Sequence, residues 1–533
     1  MGIFISLQIT IECVVVALLF SAALGAMYCK LLGILQSSGY SNKKLFSWAG
    51  KKGNAAVPRQ VLLFMLCALS YAVIALCFSF AGVWAAVVAL SAYLLFLILY
   101  VVADKRKALR SPVSFTPRLK RLYVVTFFVT AVLVYFTITI LNFADFLWQN
   151  NIFNLLRYLP LSLFPLLSLP IIALSNLIAK IYEVPHNKSF VRAAKKKLAG
   201  AKITVVGITG SYGKTSTKQI LNGILSKKFR VLSTPRSHNT PLGLALSINS
   251  NDLNNYDIFI AEMGARHLGD IAELCEFCPP DYSIITGICP QHLESFKTEE
   301  NIVKAKGEIL LGTKIKAVIA PDCYERFAGY SCQKALADCV SNIVCTSGGT
   351  EFVLTLGGKK KKVKTKLLGE HCAHNIAIAA YLAFELGMSL AEIAEAVEGL
   401  EYIEHRLQLI KNNGVNILDD GYNSNVKGAA AALDVLRTFE GRKIAVTPGL
   451  VELGILEESE NYALGKKLVG LDEVILVGDT LITPVRKGYL ENGGEPAKLH
   501  TVPTLFAAQD MLKGILQSGD TVLFLNDLPD IYG

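Results

Sequence analysis

The stretch "VVGITGSYGKTSTKQIL", Val205–Leu221, decides how the second part of this chain folds. The run "KITVVGIT" has the pattern of a buried strand, and "KTSTKQILNGILSKK" has apolar residues at helical spacing. Within "GITGSYGKTS" Gly207, Gly210 and Gly213 stand three apart, and Lys214 and Thr215 follow. Glycines there let backbone N–H groups converge, and the helix N-terminus adds its dipole, so the turn is suited to hold a phosphate. Lys214 would reach the β- and γ-phosphates, and Thr215 would ligate Mg²⁺. The usual spacing, G-x-x-x-x-G-K-[ST], is missed by one, because five residues rather than four separate Gly207 from Gly213. A glycine-rich turn with no ligand is the alternative. The strand before it and the helix after it favour the phosphate.

Further on, "YDIFIAEMGARH" reads as a second apolar strand ending in Glu262. An acid at that strand end either ligates Mg²⁺ beside a phosphate loop or is an ordinary strand terminus. "DYSIITGICPQHLESF" gives a third strand followed by His292, and "NIVKAKGEIL" gives a helix carrying Lys306. By chemistry alone neither residue stands out, since a lone His is usually structural and a helix Lys usually solvated.

A chain of 533 residues is too long for one core. Its formal charge of +10 is unevenly spread, with +17 in residues 1–202 and −7 in the remainder. The folded part is therefore mildly acidic, which excludes the basic domain surface expected of a nucleic-acid binder. The basic part carries the apolar segments Ile3–Cys29, Val61–Ala103, Leu122–Ala144 and Tyr158–Ala179. Val61–Ala103 contains no Asp, Glu, Lys or Arg and is long enough for two spans, with a turn near Ser79–Gly82. The expectation is thus five membrane helices. Pro160, Pro165 and Pro170 predict kinks or a late helix start in the last. Lys and Arg gather in Gln36–Gln60, in Asp104–Arg121 and after the last segment. The positive-inside rule then places the N-terminus outside and everything after about residue 180 in the cytoplasm, as a multi-pass protein of the cell membrane. The twelve cysteines fit a reducing compartment. Cys275 and Cys278 have redox or metal spacing, but no zinc-site partner accompanies them, so they read as a reduced pair on a helix end. "GGKKKKVKTK", 357–366, reads as a basic hairpin turn in a solvated loop.

Taken in order, "GITGSYGKTS", "HNTPLG", "AEMGARHLGDI", "PQHLESF", "NIVKAKGEIL", "LLGEHCAHNIAIAA", "HRLQLI", "DDGYNSN" and "VELG" resemble the Mur ligase family over about residues 200–533. The resemblance implies an ATP-dependent, ADP-forming amide ligase of cell-wall synthesis. In it Gly210, Ser211, Tyr212, Gly213, Lys214 and Thr215 hold the ATP phosphates. Thr215 and Glu262 resemble ligands of one Mg²⁺, and His292 and Lys306 ligands of a second. An ammonium cannot ligate a cation, so Lys306 would carry a CO₂-derived carbamate. Asn375 is similar to the family's nucleotide-contacting Asn, and Asn239 would line the cleft. Arg406 and Asp420 resemble the third-domain residues that close over ATP, on its phosphate and ribose sides. The partners implied are a muropeptide-like acceptor, UDP-linked or lipid-linked, an amino acid or a D-Ala-D-Ala-like dipeptide, the membrane, and a cell-wall synthesis complex; no nucleic acid is among them.

The sequence also departs from the family. The apolar leader stands where a soluble domain gripping uridine diphosphate is expected. Cys372 replaces a common Asn, His405 a common Gly, and Gly421 and Val426 a common Ser and Pro. The C-terminus lacks the expected Lys-Gly-Ser-rich turn. The expected fold is a membrane α-helical domain (1–190) followed by two α/β domains, a P-loop Mur ligase central domain (199–403) and a Rossmann-like domain (404–533). A poly-γ-glutamate-type ligase, and a transport ATPase or non-catalytic envelope scaffold, are the other readings. Neither an LSGGQ-like nor an N-K-x-D signature is present.

Overall fold

A computed structural model describes residues 2–50, 56–77, 83–105, 113–148, 158–235, 238–421, 425–479 and 481–525. The chain forms two compact units that part between His186 and Asn187.

The first unit contains α1 (Gly2–Ser37), α2 (Asn42–Ala49), α3 (Ala56–Cys77), α4 (Val83–Lys105), α5 (Pro117–Trp148) and the start of α6 (Ser168–Ala199). Its apolar interior also takes in polar side chains, while large hydrophobic side chains are left on its surface. Ser21, Thr126, Thr130, Ser175 and Asn176 are buried, whereas Leu69, Ile140 and Phe143 are each over 60% exposed. The inward hydroxyls of Thr126, Thr130 and Ser175 bond the carbonyls four residues back at 2.7–2.8 Å, which makes them tolerable without water. Among the described residues three helices are long and apolar enough to cross a membrane: Cys13–Ser37, Arg59–Cys77 and Pro117–Phe143. Helix α4 carries no charged residue before Asp104.

The last of the expected spans is not one continuous α-helix. The last segment opens as a 3₁₀ turn, Leu159–Leu163, and α6 starts only at Ser168, the late start that its prolines predict. Lys180 and Glu183 then end its apolar stretch. The expected turn at Ser79–Gly82 falls outside the described residues.

The second unit holds two parallel sheets. The first is ordered β2–β3–β1–β4–β5–β6, built from β1 (Thr204–Thr209), β2 (Val231–Ser233), β3 (Ile258–Glu262), β4 (Tyr282–Ile285), β5 (Lys316–Ile319) and β6 (Lys334–Leu336). Its strands are short and almost wholly buried, as expected where helices cover both faces. Helix α7 (Lys214–Leu225) buries Ile220, Leu221, Ile224 and Leu225, one apolar stripe, on this core. An antiparallel sheet follows, β7 (Val340–Thr346), β8 (Gly349–Leu356) and β9 (Lys359–Thr365). The lysine-rich run expected as a loop is largely strand β9. Only Gly357 and Gly358, with φ of 55° and 74°, make the turn, while Val363 and Thr365 are buried and Lys359–Lys362 exposed. The last sheet is built from β10 (Gln408–Asn412), β11 (Val415–Asp420), β12 (Lys443–Thr447), β13 (Glu473–Val477), β14 (Leu499–Val502) and β15 (Thr521–Leu525), ordered β10–β11–β15–β12–β13–β14 and parallel except for the β10–β11 hairpin.

Candidate active site

In the 2-3-1-4 order, β1 lies between β3 and β4, and ligands of such sheets bind off the carboxyl ends of strands where the order reverses. Gly207 is within β1 itself, where an added Cβ would meet Ile309, Pro280 and Met263 at 3.2–3.3 Å. It is a packing glycine, which explains the irregular spacing. The turn is made by Gly210 and Gly213, with φ of 148° and 76°. A Cβ on Gly210 would meet the Thr286 hydroxyl at 2.2 Å, and one on Gly213 would meet Asn375 Oδ1 at 2.9 Å. Helix α7 starts at Lys214 with no side-chain cap, so its first N–H groups are free to face an anion. Lys214 Nζ donates to the carbonyls of Gly210 (2.6 Å) and Ser211 (3.2 Å), across the turn. Burial holds its pKa below the ordinary lysine value, against the opposing charge of Glu262.

Strand register brings the first acid to this turn, since Ile208 of β1 pairs with Glu262 at the end of β3. The buried Glu262 carboxylate accepts from the Thr215 hydroxyl at 3.1 Å and from Asn239 Nδ2 at 3.2 Å. It also pairs with Lys218 Nζ at 3.0 Å, both side chains being shielded from solvent. His292 follows β4 and caps the short helix Leu293–Phe296 with a left-handed φ of 53°. Lys306 lies buried on α8 (Glu299–Gly312), 3.5 Å from the Ala265 carbonyl and 5.8 Å from the Phe296 ring. Burial, and then the charge of Lys214, hold its amine well below the usual lysine range.

These groups border a cavity of about 480 Å³, to which Ser211, Tyr212, Gly213, Lys214, Thr215, Asn239, Glu262, His292, Lys306 and Arg406 all contribute. A second cavity, about 320 Å³, shares Tyr212, Gly213 and Arg406 and adds Asn375 and Asp420. Asn375, on α9 (Glu370–Glu385), accepts from the Thr217 hydroxyl at 3.3 Å. Asp420, at the end of β11 (Val415–Asp420), accepts from Leu407 N–H at 3.2 Å, and burial raises its carboxyl to about 7 although Arg406 pulls it down. Every site residue read from the sequence thus lies on one of these two cavities, apart from Gly210, which shapes the turn.

The Mur ligase middle domain matches residues 208–383, and the Mur ligase glutamate ligase domain matches 405–526. The UDP-N-acetylmuramoyl-tripeptide–D-alanyl-D-alanine ligase of Escherichia coli K12 is 30% identical over 335 residues, which cover 59% of this chain and 74% of that protein. The chain belongs to the Mur ligase family. It is accordingly an ATP-dependent, ADP-forming amide ligase. Among solved structures, MurF from Acinetobacter baumannii is 26% identical with a TM-score of 0.58, covering 64% of this chain and 77% of that one. MurF from Thermotoga maritima, solved in complex with ADP, is 28% identical with a TM-score of 0.57, covering 65% and 81%.

Three features of this Mur ligase were not read from its sequence. Lys218 looks like a surface lysine on an amphipathic helix, yet it sits one turn after Lys214 and reaches Glu262. Lys427 Nζ is 2.8 Å from Asp322 and 3.2 Å from the Tyr212 hydroxyl, and Tyr212 also bonds Asp322, so the phosphate loop is tied to α10 (Val426–Arg437). Glu452 pairs with His292. By contrast, Cys275 and Cys278 are free and buried, and burial pushes the Cys275 thiol up to about 12, which leaves little thiolate for redox or metal chemistry.

Proposed function

We propose that this Mur ligase uses ATP to activate the carboxylate of a muropeptide-like acceptor as an acyl phosphate and joins it to an amino acid or a D-Ala-D-Ala-like dipeptide, in cell-wall precursor synthesis at the membrane. The observation that carries the reading is the meeting of the phosphate loop, Glu262, His292 and Lys306 on one cavity, which shares Tyr212, Gly213 and Arg406 with a second beside Asn375 and Asp420. The relatives named above supply the dipeptide.

The residues divide the work. Lys214 and the uncapped N–H groups of α7 hold the phosphates and balance the charge that grows as the γ-phosphoryl moves to the carboxylate. Asn375 contacts the nucleotide, Asp420 binds the ribose side, and Arg406, lying on both cavities, stabilises phosphate charge. Asn239 orients Glu262. The Thr215 hydroxyl and Glu262, 3.1 Å apart, are hard oxygen donors of the kind Mg²⁺ takes. Among the described residues no three His, Cys, Asp or Glu side chains cluster as a metal site. A second Mg²⁺ at His292 would take a further anionic donor, since a hard cation prefers oxygen ligands. Lys306 fits that need, because a buried amine held in its neutral form is the one that takes up CO₂, and the carbamate turns it into an oxygen ligand. Two bound Mg²⁺ would supply charge neutralisation to both the phosphoryl transfer and the amine attack.

We assign residues 1–190 to a membrane domain, 199–403 to the central ATP-binding domain and 404–533 to the Rossmann-like domain, with the N-terminus outside and the ligase domains cytoplasmic. The leader confines the enzyme to the leaflet where a lipid-linked acceptor is held, which raises their effective concentration. Its basic loops face anionic headgroups or the lipid's pyrophosphate. The test compares the full chain with a chain starting near Ala194, on UDP-linked and lipid-linked muropeptides. The full chain is expected to prefer the lipid-linked acceptor strongly and the shortened one to lose that preference. Equal use of the soluble acceptor by both would refute the lipid-linked reading and leave the helices as an anchor beside a cell-wall synthesis complex.

A further inference from the structure

We infer that Glu452 is a positioning residue for the second metal site, holding the His292 ring from the Rossmann-like half of the ligase. That half must therefore be seated on the phosphate-loop half before the site is complete. The inference rests on the assignment of His292 as a ligand. Glu452 belongs to "VELG", in the loop that leaves β12 (Lys443–Thr447). His292 lies 160 positions earlier, in the loop that leaves β4, so the contact joins the two sheets.

Three observations carry this. The Glu452 carboxylate meets His292 Nδ1, and its other oxygen is 3.8 Å from the Arg266 guanidinium. The Glu452 carbonyl also accepts from Leu293 N–H at 3.2 Å, so its side chain and backbone hold two consecutive residues, His292 and Leu293. Both partners have left-handed backbones, with φ of 53° at His292 and 63° at Glu452. Residues with side chains rarely adopt that conformation, and it persists where the surroundings over-determine it. His292 borders the larger cavity and Glu452 does not, so the carboxylate stands behind the ring and Nε2 is the nitrogen left for the cavity. A carboxylate on the far nitrogen of a ligating His fixes its tautomer and its ring plane.

The test is Mn²⁺ binding to the full chain in detergent, followed by electron paramagnetic resonance with ADP present, alongside thermal unfolding. Glu452→Gly should weaken one of two bound ions about 10–100-fold and leave the other ion and ADP affinity within about twofold. Its unfolding midpoint should hold or rise, because Gly accepts the left-handed backbone without strain. A residue kept for structure alone would not separate the two readouts in this way. Glu452→Gln, which keeps an acceptor for the ring N–H, should lose less ion affinity, and it carries the test if the Gly variant does not fold. The double variant with His292→Ala should be no worse than His292→Ala alone. Unchanged ion binding in the Glu452 variants, or additive losses in the double variant, would overturn the positioning role. If His292→Ala keeps both ions, the ligand assignment itself fails.

Discussion

Replacing Lys218 by Met should destabilise the ligase part more than any other single charge removal near the phosphate loop. Lys218 and Glu262 are 3.0 Å apart with side-chain exposures of 0% and 1%, so the substitution leaves a nearly buried carboxylate without its counter-ion. Breaking a buried pair from one side costs about 3–5 kcal/mol. Glu262 keeps the Thr215 and Asn239 donors, which argues for the lower end, about 3 kcal/mol. For a domain of about 200 residues, 1 kcal/mol moves the unfolding midpoint by about 2–4 °C, so the drop should be about 6–12 °C. Removing both charges, in Lys218→Met with Glu262→Gln, should recover most of it, because no uncompensated ion remains. The assay is thermal unfolding of the full chain without Mg²⁺ or nucleotide, followed by circular dichroism. A drop under about 2 °C in the single variant, or a double variant as unstable as the single, would refute the reasoning.

Lys214→Ala should cut turnover by at least about 10²–10³-fold with the unfolding midpoint little changed, measured by ADP release; near-normal turnover would remove the phosphate-loop assignment. Lys306→Ala should lose activity and regain part of it with short carboxylic acids, and bicarbonate depletion should slow the native enzyme but not the rescued variant. Asp420 gives a pH test. Its folded carboxyl, raised to about 7, keeps a proton that the unfolded chain releases near 4, so its contribution to stability is lost as pH rises across that window. Asp420→Asn should therefore gain in unfolding midpoint relative to the native protein between pH 5 and pH 8. The native protein, unlike the variant, should bind ADP more tightly at pH 8 than at pH 6. Parallel pH profiles would count against both statements.

The phosphate loop was legible because strand, glycine turn and helix are adjacent in sequence and each has its own pattern. The spacing anomaly at Gly207 needed the structure, which shows that glycine inside β1 rather than in the turn. Glu262 was legible as a strand end, and register made it a neighbour of the loop. Lys218 was not, because a lysine one turn into an amphipathic helix carries no sign of burial. The Glu452–His292 contact was not, because tertiary packing alone brings together residues so far apart. In "GGKKKKVKTK", charge masked the alternation that makes β9, where Val363 and Thr365 are buried between exposed lysines. In the last apolar segment the prolines were themselves the signal, and the helix starts late, at Ser168, as they predict.

Acceptor-dependent ADP release by the detergent-purified full chain, supplied with ATP, Mg²⁺, D-Ala-D-Ala and either a UDP-linked or a lipid-linked muropeptide, tests the central claim most directly. The account predicts ADP release that needs both acceptor and dipeptide, with one amide bond formed per ADP and faster turnover on the lipid-linked acceptor. ATP hydrolysis indifferent to acceptor and dipeptide, with no amide product from either muropeptide, would contradict it.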